Sequence, residues 1–487
     1  MSPGSKNIKA ILSRPGVAGW LALFVSLVGL ALRIEHALTF DGPKRGGDYA
    51  VNLDGVRWMM THWAPFNFSP DVSTQVGYQP PLWHFLGAII LTFTGEERPI
   101  AWLAVIGWVV RQVLLALMLR EAIPKYKWSA LAAIAINAFL PMSVLTDGKL
   151  NPEGLHTSLF MVAVYGLWKI ERAAQTQQGP TKTAAVVFGA FSGLAVLTKA
   201  TAGVLPLTAV LVFGWQAWCL RSEPDRHVKW KHLLRIALLS GLAWCVVAGW
   251  WCGPNLVKYH HPFPHIWNLM VHPKDPVLYR RPLGWALPFE WREYLRFPIM
   301  YTETVPRPNF WAVCVTGMWT DFHNRGFCRL LGGGTTDEVF GANWGPGYGP
   351  EWHMTWHCVK FFVQLLRVGI PITIVSVAAV AYMARTNIKH YGRDGTLALP
   401  IVISLVVGFL LMFALVYPLD NHVVLNPRYL LPAVTPMSAC LGFALAEVPL
   451  PRQAKTALHV LCLVAIGLVG LMVIYERFGS KFPLGSI

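Results

Sequence analysis

The sequence predicts an all-α polytopic membrane protein with about eleven transmembrane helices, in-plane helices in its first outer loop and one long outer loop. Two observations carry this. Of 487 residues, 54% are hydrophobic and only 14% charged, with a mean hydropathy of +0.44, which is a membrane composition. Long apolar runs also recur from end to end. A span needs roughly 20 apolar residues to cross ~30 Å of hydrocarbon at ~1.5 Å per residue. Runs of suitable character cover 17–40, 100–119, 128–145, 154–170, 184–197, 203–220, 233–251, 358–384, 397–417, 429–446 and 457–475. The run at 184–197 is short and is expected to continue past Lys199. The first run follows a basic start (Lys6, Lys9, Arg14) and ends in Arg33-Ile34-Glu35-His36 with no small-residue cleavage site. It reads as a retained span, and the whole of 1–487 as a single integral membrane domain.

One further apolar stretch, 81–95, is ambiguous. Its 15 residues make ~22 Å of helix. The charges decide its placement. If it does not cross and the N-terminus is cytoplasmic, the basic clusters Arg120/Lys125/Lys127, Lys169/Arg172/Lys182, Arg221–Arg235, Arg385/Lys389/Arg393 and Arg452/Lys455 all fall inside, as the positive-inside rule requires. If it crosses, all of them fall outside. The first reading places 81–95 on or in the outer face. Residues 41–98 then form a first outer loop, in which Val56, Met59, Met60 and Trp63 give one apolar helical face and Asn52, Arg57 and His62 lie elsewhere, the pattern of an interfacial helix.

The net charge of +16 is a loop property that sets orientation and meets anionic lipid or phosphate. No nucleic-acid motif accompanies it. Cys219, Cys245, Cys440 and Cys462 lie in apolar runs and read as small buried hydrophobes. Cys314 and Cys328 fall in the long loop, where spacing alone does not establish a pair.

Three polar regions share the outer side: the first loop with Asp48 and Asp54, the short loop "TDGKLNPEG" with Asp147, Asn151 and Glu153, and the long loop at 253–355. Carboxylates at span ends cost desolvation unless they are solvated or used. For Asp48 and Glu153 helix capping is the plain alternative. Near Glu351, His353 and His357 stand four apart in "EWHMTWHC"; with a third ligand from His260, His261 or His265 the spacing suits zinc, and interfacial histidines are the other reading.

Six segments in order resemble the GT-C glycosyltransferases, which include protein O-mannosyltransferases and lipid A aminoarabinose transferases. They are "GGDYAVNLDGVRWMMTHW", "GYQPPLWHFLGAII", "LPMSVLTDGKLNPEGLHTSLFMVAVYGLWK", "GLAVLTKATAGVLPL", "VVAGWWCGPNLVKYHHPF" and "NPRYLLPAVTPM". The sequence departs from the family at Tyr49, where mannosyltransferases have Glu, at Asp54, at Pro152 within Asn-Glu, and at Pro254 before Asn255.

The resemblance implies an enzyme that moves a hexosyl or pentosyl group from a polyprenyl-phosphate donor to a hydroxyl on the outer face, with inversion. The acceptor could be glycan, lipid or protein. Asp48 is placed as general base, with Glu153 and Asp54 as further catalytic carboxylates. Lys199, Arg57 and Arg428 are the candidates for the phosphate. Tyr78, Gln79, Asp147, Asn151, Asn255, Tyr259 and Tyr429 lie in the segments that would bind substrate. No cofactor is required, and a divalent metal stays open. The location implied is a bacterial inner membrane with the site facing the periplasm, or the endoplasmic reticulum membrane in a eukaryote. Two other classes remain: an O-antigen ligase-like transferase using Arg280, Arg281 and His272 of the long loop, and a transporter, for which Arg111 and Arg367 would be the mid-span charges.

Overall fold

The computed structural model describes residues 16–39, 48–63, 80–175, 182–221, 225–260, 262, 315, 318–319, 356–390, 398–411 and 430–478. Among these every regular element is helical: α1 (Val17–Thr39), α2 (Asp48–His62), α3 (Leu82–Thr94), α4 (Trp102–Ala122), α5 (Lys127–Phe139), α6 (Pro141–Thr146), α7 (Glu153–Gln175), α8 (Lys182–Thr198), α9 (Val204–Leu220), α10 (Arg226–Tyr259), α11 (Trp356–His390), α12 (Leu399–Leu411), α13 (Leu431–Glu447) and α14 (Arg452–Phe478). Short 3-10 turns at Arg98–Ala101 and Ala200–Gly203 lead into α4 and α9.

Helices occupy all eleven apolar runs. Among the described residues six helical stretches are individually long and apolar enough to cross a membrane: Val17–Thr39, Arg98–Ala122, Ala200–Leu220, Arg226–Lys258, Val363–Lys389 and Arg452–Tyr475. Their outward faces suit lipid. Leu234, Leu238, Leu242 and Val246 form an exposed stripe at four-residue spacing on α10, and Leu461, Val464, Leu468 and Leu471 form one at three- and four-residue spacing on α14.

The centre of the bundle is α5. Every residue from Leu131 to Phe139 is buried, against α1, α4, α13 and α14. Its alanines let neighbouring backbones approach closely, which is how helices associate when hydrophobic burial offers little net drive. The run at 128–145 is not one helix. Leu140 takes an extended conformation (φ −59°, ψ 118°) because it precedes Pro141, and Pro141 opens α6 at its first position. The break redirects the last turn and the Asp147 that follows it.

The run at 184–197 does not continue past Lys199, contrary to expectation. α8 stops at Thr198 and Lys199 is fully extended (φ −158°, ψ 131°). The reason is local: Lys199 reaches sideways to Glu153 (2.8 Å) and Thr201 to His156 (3.2 Å), which a continuous helix would not permit at both positions.

The interfacial helix also differs from its expected setting. Val56 and Met59 of α2 are buried against Trp83, Ala88 and Ile100 rather than turned to lipid. Gly87 of α3 sits directly beneath Val56, with no room for a Cβ between them. Trp63, expected on the same face, is half exposed.

The placement of 81–95 follows from ion pairs. Arg33, late in α1, pairs with Asp147, just past α6, at 3.0 Å. Two crossings, α4 and α5–α6, separate these levels, so the chain returns to the side where α1 ended. A third crossing by α3 would put Asp147 on the opposite side. At the other face the ends agree: Glu121 in the last turn of α4 pairs with Lys169 of α7 (2.9 Å), and Ser129 of α5 meets His459 of α14 (2.7 Å). The 13 residues of α3 also make only ~20 Å of helix.

This topology has a direct test. In a background without native cysteines, Gly95→Cys and Lys125→Cys should label with an impermeant maleimide from opposite sides of sealed vesicles. Labelling from one side would show that the α3–α4 segment had been misplaced.

Candidate functional site

The short loop between α6 and α7 is fixed from below. Asp147 is fully buried. Its Oδ2 accepts from Arg33 Nε (3.0 Å) and Ser143 Oγ (2.7 Å), and its Oδ1 from Arg111 Nη2 (2.5 Å). Arg33 also donates to the Gly29 and Ala138 carbonyls and to Ser143 Oγ, and its guanidinium lies 4.1 Å from the Trp108 ring centre. One layer deeper, Asn137 donates to Gln112 (2.6 Å) and accepts from Thr435 (2.8 Å). The next loop residue, Gly148, lies against His36, and any Cβ there would overlap the ring.

The loop ends in a cap. Asn151 Oδ1 accepts the backbone N–H of Glu153 at 3.2 Å and so starts α7. Pro152 between them needs no donor satisfied. Glu153 is buried, and its Oε1 accepts from Lys199 Nζ at 2.8 Å. One turn on, His156 sits between the Ala195 carbonyl (3.3 Å) and the Thr201 hydroxyl (3.2 Å). The α4–α7 contact that holds Glu153 at this depth depends on Gly154, where a Cβ would fall 2.3 Å from that of Ala104.

The in-plane helix meets the same loop. Asn52 of α2 donates to the Leu150 carbonyl (3.5 Å). Asp48 is the first residue of α2, four residues before Asn52 and so on the same side of the helix; its side chain lies outside the described residues. Asp54 is exposed. Arg57 pairs with Glu97 at 2.6 Å, and the Tyr49 hydroxyl donates to the other oxygen of Glu97 at 2.7 Å. Burial, then the bond to Glu97, raises the Tyr49 pKa above its usual range, so Tyr49 remains a donor. Burial pushes His84 of α3 down to about 3, which leaves it neutral.

The structure therefore brings together Asp147, Asn151, Glu153 and Lys199, and joins α2 to their loop through Asn52 and the Leu150 carbonyl. Asp147, expected among the substrate-binding residues, accepts from Arg33, Arg111 and Ser143. Asn255 is buried near the end of α10. The Tyr259 side chain and all of Tyr78, Gln79, Arg428 and Tyr429 lie outside the described residues, as do Glu351, His353, Arg280, Arg281, His272, His261, His265, Cys314, Cys328 and the His357 side chain. Among the described residues no cluster of three or more His, Cys, Asp or Glu has metal-binding spacing. In the sequence Arg33 stands out only as a span end and Arg111 only as a mid-span charge. His156, Thr201, Ser143 and Glu97 had no local signal.

Comparison with known proteins adds three findings. Residues 78–251, which include the segments around Pro81, Asp147 and Lys199, match the family model described as dolichyl-phosphate-mannose-protein mannosyltransferase. A comparison with curated proteins gives no match. Solved structures with a similar arrangement include ArnT from Cupriavidus metallidurans bound to undecaprenyl phosphate (TM-score 0.48, 12% identity, 95% of this chain and 76% of that one). They also include the Archaeoglobus fulgidus oligosaccharyltransferase in the apo form (TM-score 0.45, 14% identity, 95% of this chain and 56% of that one).

Breaking a buried ion pair from one side typically costs about 3–5 kcal/mol, because the remaining charge stays buried. Asp147→Asn leaves two guanidiniums facing each other and should lower the melting temperature in detergent sharply. Asp54→Asn, at an exposed position, should not change it. An unaltered melt for Asp147→Asn would remove Asp147 as the anchor of this loop.

Proposed function

We propose that this chain, which resembles the GT-C glycosyltransferases and carries their family match over residues 78–251, transfers a sugar from a polyprenyl-phosphate donor to a hydroxyl acceptor on the outer face of the membrane. The observation that supports the reading best is the family-matched loop itself. It presents a buried Glu153–Lys199 pair at a span end, beside an in-plane helix that begins with an aspartate.

The chemistry is a single displacement. The acceptor oxygen forms a bond to the anomeric carbon as the bond to the phosphate oxygen breaks. The polyprenyl phosphate leaves with the electron pair, and the anomeric configuration inverts. Asp48 takes the hydroxyl proton at the water boundary. Lys199 faces the charge that develops on the phosphate, with Glu153 holding its ammonium in place until the donor arrives. Arg428 is a further phosphate contact in this reading. The outer face would be the periplasmic side of a bacterial inner membrane, or the lumenal side in a eukaryote.

Asp48→Asn isolates proton removal, because Asn caps a helix about as well as Asp. General base catalysis is typically worth ~10²–10⁴-fold. With a panel of radiolabelled polyprenyl-phosphate sugars, the variant should transfer at least ~100-fold more slowly than wild type. It should still bind polyprenyl phosphate and melt like wild type, and Asp54→Asn should lose less. A fully active Asp48→Asn would reject Asp48 as the base.

The cation has its own test. Lys199→Gln should weaken polyprenyl phosphate binding, whereas Lys199→Arg should keep part of it, since charge is retained but the compact ammonium is not. Equal binding by wild type and Lys199→Gln would take Lys199 out of the phosphate site.

A further inference from the structure

The first turn of a helix is its weakest part, because its leading N–H groups have no intrahelical partners. A base placed there is badly positioned unless something else holds the turn. Asp48 is the first residue of α2. The apolar grip on this helix lies further along: Leu53, Val56 and Met59 are buried, and they pack toward α3 and Ile100. Tyr49 and Val51 of the first turn are only partly buried against that cluster, so the turn also depends on polar contacts.

One carboxylate provides them. Glu97, in the turn between α3 and α4, accepts from the Tyr49 hydroxyl through Oε2 at 2.7 Å and from Arg57 Nη2 through Oε1 at 2.6 Å. The two donors are eight residues apart, or about two helical turns. A single rigid group held at two points along the helix restrains both its slide and its rotation. One of those points is the residue next to Asp48.

We propose that Glu97, with Tyr49 and Arg57, is a positioning device for the base: it sets the approach of Asp48 to the acceptor hydroxyl without touching substrate. This inference rests on the reading of Asp48 as the base. It also gives Arg57 a carboxylate partner in place of the phosphate role that the sequence left open to it.

The energetics separate such a role from a structural one. The Arg57 and Glu97 side chains are 56% and 27% exposed, and exposed pairs contribute little to stability. Catalytic geometry tolerates much less, since a misplacement of ~1 Å can cost ~10²-fold in rate. Loss of the strap should therefore appear in kcat while melting stays unchanged.

The experiment measures kcat, donor KM and melting temperature for wild type, Glu97→Gln, Tyr49→Phe and Asp48→Asn with the same polyprenyl-phosphate sugar. Glu97→Gln and Tyr49→Phe should each lower kcat by roughly 10–100-fold, with donor KM and melting temperature near wild type. Full activity in both variants would overturn the inference and leave the Asp48 reading intact. A kcat loss matched by a lower melting temperature would overturn it too, by showing a structural role. If Asp48→Asn is itself fully active, the Asp48 reading fails and the inference fails with it.

Discussion

A carboxylate between two guanidiniums, all three fully buried, is the constraint on which the rest of the arrangement depends. Asp147 meets Arg33 of α1 and Arg111 of α4, and it lies at the end of the α5–α6 segment. Each charge is costly in an apolar surrounding and becomes tolerable only when the others are in place. The three helices are thereby locked in depth as well as in contact. That lock sets the level of the loop at 147–152, hence the start of α7, hence the height at which Glu153 meets Lys199. It also fixes the parity of crossings, which keeps α2 and α3 on the same side as this loop. Arg111, which with Arg367 suggested a charge on a transport path, belongs to this lock.

Above the anchor the polar groups are arranged in a graded way. The deepest ones answer each other within the bundle: Asn137 with Gln112 and Thr435, and Arg33 with three carbonyl or hydroxyl oxygens. At intermediate depth the Glu153–Lys199 pair is buried on the acid side and partly open on the lysine side, with side-chain exposures of 4% and 18%. Nearest water, Arg57 and Glu97 pair in the open. A cation that is partly open and held by a buried acid suits exchange of its partner for an incoming phosphate. A fully buried one does not.

Much of the fold was legible in the sequence because lipid imposes a length and a composition on every span. The apolar runs and the helix at Asp48–His62 could be read from hydropathy and periodicity. Pro141 announced a break that the apolar run concealed. The Thr198 end of α8 was hidden because Lys199 looked like a charge inside a span rather than the residue that ends it. The site was legible only in part, for a physical reason. Glu153 and Lys199 stand at span ends and Asp48 at the start of α2, where a charge calls for explanation. Glu97 gains its role from partners 40 and 48 positions away, and Arg33 from one 114 positions away. No local pattern encodes such pairings.

The same geometry narrows the choice of base among the carboxylates on this face. Asp147 has both oxygens engaged and no exposure, so an acceptor hydroxyl has no path to it. Glu97 has one donor on each oxygen. Glu153 is 3% exposed with its Oε1 on Lys199, which suits an acid that holds a cation rather than one that receives a proton from water-borne substrate. Asp54 is accessible but lies six residues beyond Asp48, about 240° around α2 at 100° per residue, away from the side that meets the Leu150 carbonyl. Position 48 shares that side with Asn52, beside the loop that leads into Glu153. A base has to work within a hydrogen bond of the hydroxyl while a cation faces the leaving phosphate. Of these aspartates and glutamates, the proposed mechanism takes Asp48 as the base, at the start of a helix whose Asn52 meets the Leu150 carbonyl.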